Sequence, residues 1–299
     1  MNTAIATSIA HYLEQLRAAL AGSDPALVQD ALYDAEDYLR SEWAEHPEMD
    51  EASLLASVAG SYGAPSEVAD IYRDTEVTVH RALRAPSPKP RASLAGRLFG
   101  IFADPHAYTS VLYLLLSLVT GIFYFTWVVV GISLSASLGV LVIGIPFTIL
   151  FFASVRGLSL VEGRLVEAML GERMPRRPLY TDRERPILER IKTVFLDPRT
   201  WSTLVYMVLM LPLGIIYFTF IVVALSLALG IATLPVLETF GEHNLLYWFG
   251  MPIDLPLWSL PITLAIGLLV LIMTLHAARG LGVLQATLAK HQLVKSAQP

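Results

Sequence analysis

Two kinds of polar residue could do chemistry in this chain: those that recur at matching places, and one acidic run that does not. Phe-x-Asp-Pro occurs twice, as Asp104-Pro105 and Asp197-Pro198, and Arg-Gly-Leu occurs twice, starting at Arg156 and Arg279. Aspartate before proline suits a helix start, because the carboxylate takes orphan N–H groups and proline fits the first turn. The same carboxylates could instead hold an ion or a ligand. Each arginine follows an apolar stretch, where a guanidinium can snorkel to lipid phosphates or pair across helices, with Glu162 as a candidate partner. His276 lies near Arg279 and carries the ring that titrates close to neutral pH. Glu238, Glu242, His243 and Asp254 form a loose acidic group, but their spacing matches no metal motif. With no cysteine in the chain, thiolate nucleophiles, disulfides and Cys-based metal sites are excluded. No nucleophile–base set appears either, so the expectation is a protein that is not an enzyme and needs no cofactor.

The acidic run is Asp34, Glu36 and Asp37. It belongs to a segment, residues 1–76, with 15 acidic and three basic residues. Such a bias selects basic partners. The candidates are a cytosolic protein or the chain's own basic loop at 173–199; the alternative is a merely solvated face. Direct nucleic-acid binding is not expected.

The distribution of Lys and Arg shows which elements position these groups. Both are absent from residues 107–155 and 200–278, the most apolar parts of a chain whose mean hydropathy is +0.57. Apolar stretches free of basic residues and flanked by basic ones read as membrane-embedded, with their ends on the cytoplasmic side. The ten Lys or Arg of 156–200 put that loop inside, together with both termini. The N-terminus has no signal-peptide character, since Glu14 interrupts its apolar residues.

Ahead of the membrane part, helical spacing of Ile5, Ile9, Tyr12, Leu13, Leu16 and Leu20 predicts one helix, and Ser23-Asp24-Pro25 starts a second. Helices at about 50–61 and from Ala64-Pro65 complete a small all-α cytosolic domain over 1–80. Residues 81–98 read as a basic, Pro-containing linker.

The membrane part reads as an internal repeat. Residues 102–134 align with 195–227 without gaps, and 15 of the 33 positions are identical, among them Gly121 with Gly214 and Tyr124 with Tyr217. Repeat 1 is placed at 99–194, with spans at about 108–132 and 135–155. Repeat 2 is placed at 195–299, with spans at about 203–232 and 257–277. Tyr108, Trp127, Trp201, Trp248 and Trp258 fall near proposed span ends, where aromatic rings sit well. The glycines among them, Gly121, Gly131, Gly139, Gly144, Gly214 and Gly230, serve close packing within the bundle or, alternatively, a homo-oligomer seam. Pro146 and Pro212 are expected to kink their spans. The fold class is therefore all-α, a helical head before a four-helix transmembrane domain of two tandem hairpins.

Two regions carry resemblances. Tyr12-Leu13-x-x-Leu16, Asp34-Ala35-Glu36-Asp37-Tyr38-Leu39 and Gly63-Ala64-Pro65-x-x-Val68-Ala69 resemble the HAAS-type signalling domain of bacterial membrane proteins, often paired with PadR-type transcription regulators. Phe195-x-Asp197-Pro198-x-x-Trp201, Leu211-Pro212-Leu213-Gly214 and Arg156-Gly157-Leu158 with Glu162 resemble the multi-span bacterial sensor domain over 100–290, seen at the front of some histidine kinases. No kinase His-box or ATP-binding glycine motif follows residue 290, so signalling is expected to run through the head or a partner. Neither family supplies a catalytic residue.

The resulting expectation is a multi-pass protein of the bacterial inner membrane, a sensor or regulatory scaffold that couples a membrane or envelope signal to a cytosolic partner. Asp34, Glu36 and Asp37 are its partner contacts. Asp104, Pro105, Tyr124, Arg156, Asp197, Pro198, Tyr217 and Arg279 are the structural residues of the repeat. The alternatives are an accessory subunit of a transport or lipid-handling system and a membrane-shaping hairpin protein. The near absence of ionisable residues in the spans weighs against a transport path.

Overall fold

The computed structural model describes residues 6–58, 60–83, 94–139, 144–177, 196–240, 246–248, 251–253 and 256–294. Four helices build the head: α1 (Ile9–Ala19), α2 (Pro25–Glu45), α3 (Glu51–Val58) and α4 (Pro65–Leu83). Their starts are set locally. The Ser8 hydroxyl oxygen accepts from the His11 N–H at 3.2 Å, and Asp24 Oδ1 accepts from the Ala26 N–H at 2.8 Å, with Pro25 in the first turn. Before α4 the chain turns through Gly63 at φ +103°, a left-handed conformation that favours glycine. Leu16, Leu20, Leu39 and Leu54 are fully buried at the centre of the head. Two long-range bonds close it: Tyr12 Oη donates to the Gly63 carbonyl at 2.9 Å, and the Ile9 N–H donates to Glu51 at 2.9 Å.

After the short α5 (Leu94–Phe99) come four long helices, α6 (Pro105–Leu138), α7 (Gly144–Leu170), α8 (Pro198–Phe240) and α9 (Leu260–Leu293). Between α8 and α9 a small antiparallel hairpin pairs β1 (Leu246–Trp248) with β2 (Met251–Ile253), Leu246 opposite Ile253. In the most apolar window of each long helix, only 22–28% of the residues are buried. Val119, Ile122, Leu150, Ile216, Val223 and Leu269 are among the many apolar side chains left open. Water does not tolerate so continuous an apolar surface; hydrocarbon does, and each helix exceeds the roughly 20 residues needed to cross it. This is a multi-pass membrane protein.

The helix ends correct the expected spans. The break expected between residues 132 and 135 is helical, since α6 runs on to Leu138, and α7 begins at Gly144. Nothing in Ile132-Ser133-Leu134-Ser135-Ala136-Ser137 breaks a helix; the first breaker is Gly139. Pro146 lies in the first turn of α7, where proline is accommodated without a kink. Pro212 and Pro235 lie inside α8, which continues past both. At the other ends, α7 and α9 run without a break beyond Arg156 and Arg279, to Leu170 and Leu293.

The chain divides into two compact units, one of residues 1–85, 131–204 and 288–299, the other of 86–130 and 205–287. In the second unit α6 and α8 cross backbone to backbone. A Cβ on Gly121 would overlap the Met210 carbonyl, and one on Gly214 would overlap the Ser117 carbonyl. Ile101, Ala107, Ile272 and Leu275 form a further core there. In the first unit the head packs as described, and Gly131 leaves room for the Phe151 ring.

Candidate functional site

The first unit holds a dense polar constellation, built by α2 and the segment that follows α7. Gly171, at φ +77°, ends α7 in a left-handed cap, its N–H donating to the Glu167 carbonyl at 3.2 Å. The chain then runs out as Glu172-Arg173-Met174-Pro175-Arg176-Arg177. Met174 is buried beside Gly163, whose missing side chain makes the room. One face of α2 receives this segment. Asp30, itself buried, accepts on Oδ1 from two consecutive backbone N–H groups, those of Arg176 at 2.8 Å and Arg177 at 2.9 Å. Its Oδ2 pairs with Arg173 at 3.3 Å. Gln29 Nε2 donates to the Arg177 carbonyl at 2.7 Å, and Arg177 Nε pairs with Asp34 at 3.1 Å. Arg173 also meets Glu76 of α4. Lys290, near the end of α9, bridges Asp24 at 2.6 Å and Glu172 at 2.5 Å.

These contacts surround a cavity of about 350 Å³ between Asp30, Asp34, Glu76 and the arginines. Burial pushes the Asp30 carboxyl above the usual carboxylate range, opposed by the two N–H donors and Arg173. Burial and the hydrogen bond to Asp34 likewise raise the Tyr72 phenol, whose Oη lies 2.9 Å from Asp34 Oδ2. Chemically the arrangement is an acidic surface that grips an arginine-bearing stretch of backbone. Carboxylates on paired N–H groups and guanidinium forks are the strong, directional kind of hydrogen bond.

The recurring residues make ion pairs. Asp197 pairs with Arg156 at 3.5 Å, in the first unit. Asp104 pairs with Arg279, in the second. Each aspartate also caps its own helix: the His106 N–H donates to Asp104 and the Arg199 N–H to Asp197, both at 3.0 Å. Pro105 and Pro198 follow as the first residues of α6 and α8. Tyr217 is buried and donates to Gln285 Oε1 at 3.1 Å, while Gln285 Nε2 donates to Tyr206 Oη at 3.0 Å. Tyr124 is buried on α6. Replacing Gln285 with Leu will remove the acceptor of the buried Tyr217 hydroxyl and lower stability by about 1–3 kcal/mol. Thermal denaturation in detergent checks it, and adding Tyr217→Phe should restore most of the loss.

Of the three acids expected to meet a partner, Asp34 is engaged by Tyr72 and Arg177. Glu36 pairs within α2 with Arg40 at 3.0 Å, and Asp37 is exposed. The residues that reasoning from sequence missed are Gln29, Asp30, Glu76, Arg173 and Gln285. Asp30 carried a signal: it lies on the buried stripe of α2 with Leu27 and Ala31, an acid on an apolar face. His276 Nε2 lies 3.3 Å from the Leu98 carbonyl. Arg156 turns to Asp197, and Glu162, offered as its partner, is fully buried and bonded. Glu242, His243 and Asp254 lie outside the described residues, as does the linker over 84–93.

Comparison with known proteins finds no curated protein that matches the chain and no solved structure that does. One family model matches residues 113–293, more than half of the chain, and runs from the third turn of α6 to the end of α9. Four helices suited to a bilayer and this match agree, and the chain belongs to the Putative sensor family.

Proposed function

We propose that this protein is a regulatory scaffold of the bacterial inner membrane whose head changes its docking in response to the membrane domain and so controls access of a cytosolic protein. The supporting observation is the grip of Asp30 on the backbone of Arg176 and Arg177, two consecutive N–H groups held by one carboxylate as a bound peptide's would be. An intrachain segment that fills the groove gives two states, docked and free, and a signal that favours one of them shifts the population. The excess of Lys and Arg outside the two apolar stretches supports a cytosolic head and cytosolic termini. The head's likeness to the HAAS-type domain, whose motif residues include Tyr12 and Gly63, supports signalling and a PadR-type regulator as the partner class. Asp37 and Glu36 stay on the outer face of α2 for such a partner. The matched contacts of Gly121 with Met210 and of Gly214 with Ser117 support a duplicated membrane unit. In this reading the protein acts by binding and not by catalysis.

The test uses the full-length protein in its own membranes, with a photoreactive residue at Asp37. One cytosolic protein should be captured, and more of it when Asp30→Ala frees the groove. Capture of no specific protein from either version would sink the reading. Cysteine accessibility from outside at residues 241–259 checks the orientation, with labelling expected there and none in the head.

A further inference from the structure

A second polar recess in the first unit lies where α7 and the start of α8 meet, lined by Arg156, Ser159, Asp197, Arg199, Thr200 and Thr203. Two guanidinium groups and one carboxylate leave it one positive charge in excess. Thr200 is 3% exposed, and its hydroxyl oxygen has no hydrogen-bond partner among the described residues. A buried hydroxyl left unpaired costs free energy, so the chain retains it against stability. The backbone N–H groups at the start of α8 are already taken, Arg199 by the Asp197 carboxylate and Thr200 by the Asp197 carbonyl at 3.0 Å. What remains for a ligand is the part of each guanidinium fork not turned to Asp197 or Gln29, and the Thr200 hydroxyl. We infer that this recess is a binding site for a phosphate group, with Arg156 and Arg199 as the charged clamp and the Thr200 hydroxyl as a neutral donor.

The chemistry fits on three counts. Arginine forks match phosphate oxygens bidentately. One excess positive charge suits the single negative charge of a phosphodiester. The corresponding place in the first segment could not do it, since His106 and Ala107 stand where the alignment puts Arg199 and Thr200, while the Asp–Arg pair itself is kept in both. The site also touches the head. Arg199 Nη1 donates to Gln29 Oε1 at 2.8 Å, and the same Gln29 holds the Arg177 carbonyl. A phosphate that draws on Arg199 competes with Gln29 and loosens one tie of the docked segment. That coupling rests on the function proposed above; the binding does not.

The phosphate could belong to a lipid headgroup or to a soluble anion, and the experiment separates them. Full-length protein in a phosphate-free maltoside detergent is titrated with inorganic phosphate, with short-chain phosphatidylglycerol, and with the matching diacylglycerol as a control for the acyl chains, read by native mass spectrometry. Saturable binding of phosphatidylglycerol alone assigns a lipid headgroup, and binding of inorganic phosphate assigns a soluble anion. Arg199→Gln should weaken binding about tenfold. Thr200→Val should weaken it about fivefold while leaving thermal stability equal or higher, which a purely structural threonine would not do. Binding by neither ligand, or undiminished binding by both variants, overturns the site. Binding that leaves trypsin access to Arg173 unchanged keeps the site and refutes its coupling to the head.

Discussion

Gly121→Ala and Gly214→Ala are each expected to destabilise the protein by about 3 kcal/mol, the upper end for overpacked cores. The reason is where the new methyl would go. It would occupy the space of a carbonyl on the facing helix, Met210 for Gly121 and Ser117 for Gly214. Backbone cannot swing aside as the end of a side chain can, so α6 and α8 must separate along their crossing. Separation also gives up dispersion contacts, which hold helices together in lipid, where both the packed and the unpacked state are apolar. Gly230 is the internal control: nothing lies within 4 Å of a methyl placed there, so Gly230→Ala should be neutral or slightly stabilising. The chain's lack of cysteine lets engineered pairs across the crossing report the separation directly. Crosslinking should fall in both variants, together with the melting temperature in detergent. Alanine at Gly121 with unchanged melting and crosslinking would refute the close crossing.

Asp30→Ala is expected to release the segment after α7. It removes the acceptor for two backbone N–H groups and one partner of a nearly dry ion pair, with side-chain exposures of 11% for Arg173 and 7% for Asp30. Hydrogen bonds to a charged group are worth about 1.5–3 kcal/mol each, so losing the acceptor of two backbone donors costs about 3–5 kcal/mol in all, while Arg173 keeps Glu76. Even the lower figure shifts the docked-to-free ratio by about two powers of ten. The readout is tryptic cleavage after Arg173 and Arg176, slow in the parent and fast in the variant, with far-ultraviolet circular dichroism to show that the helices persist. Asp30→Asn should fall between, since an amide oxygen still accepts from backbone but no longer balances Arg173. Equal cleavage of all three proteins would mean that Asp30 does not hold the segment.

Most of the architecture was legible because it rests on the strongest sequence signals. Long apolar stretches without Lys or Arg have one solvent that suits them, and the α-helix is the element that satisfies its own backbone there. The helical head followed from periodicity, from Asp24-Pro25 and from Ala64-Pro65. The span ends did not follow. Composition marks where hydrocarbon stops, whereas the hydrogen-bonded helix continues until a breaker such as Gly139 or Gly171. The polar site was half legible. Asp34 could be singled out with Glu36 and Asp37 as an acidic run, but a run cannot show which face of α2 meets a partner. Asp30 acquires its role from residues 143 to 147 positions away, a distance over which no local pattern reports. The Thr200 hydroxyl was invisible for the same reason: a threonine in a helix's first turn is ordinary until its neighbours fail to satisfy it.

The crossing of α6 and α8 has a consequence for assembly. Gly121 meets Met210 while Gly214 meets Ser117, and the alignment pairs Gly121 with Gly214 and Ser117 with Met210. The two helices therefore present the same patch to each other, as the halves of an isologous dimer do. Such a contact saturates itself. Its two glycines, Gly121 and Gly214, are taken up within one molecule.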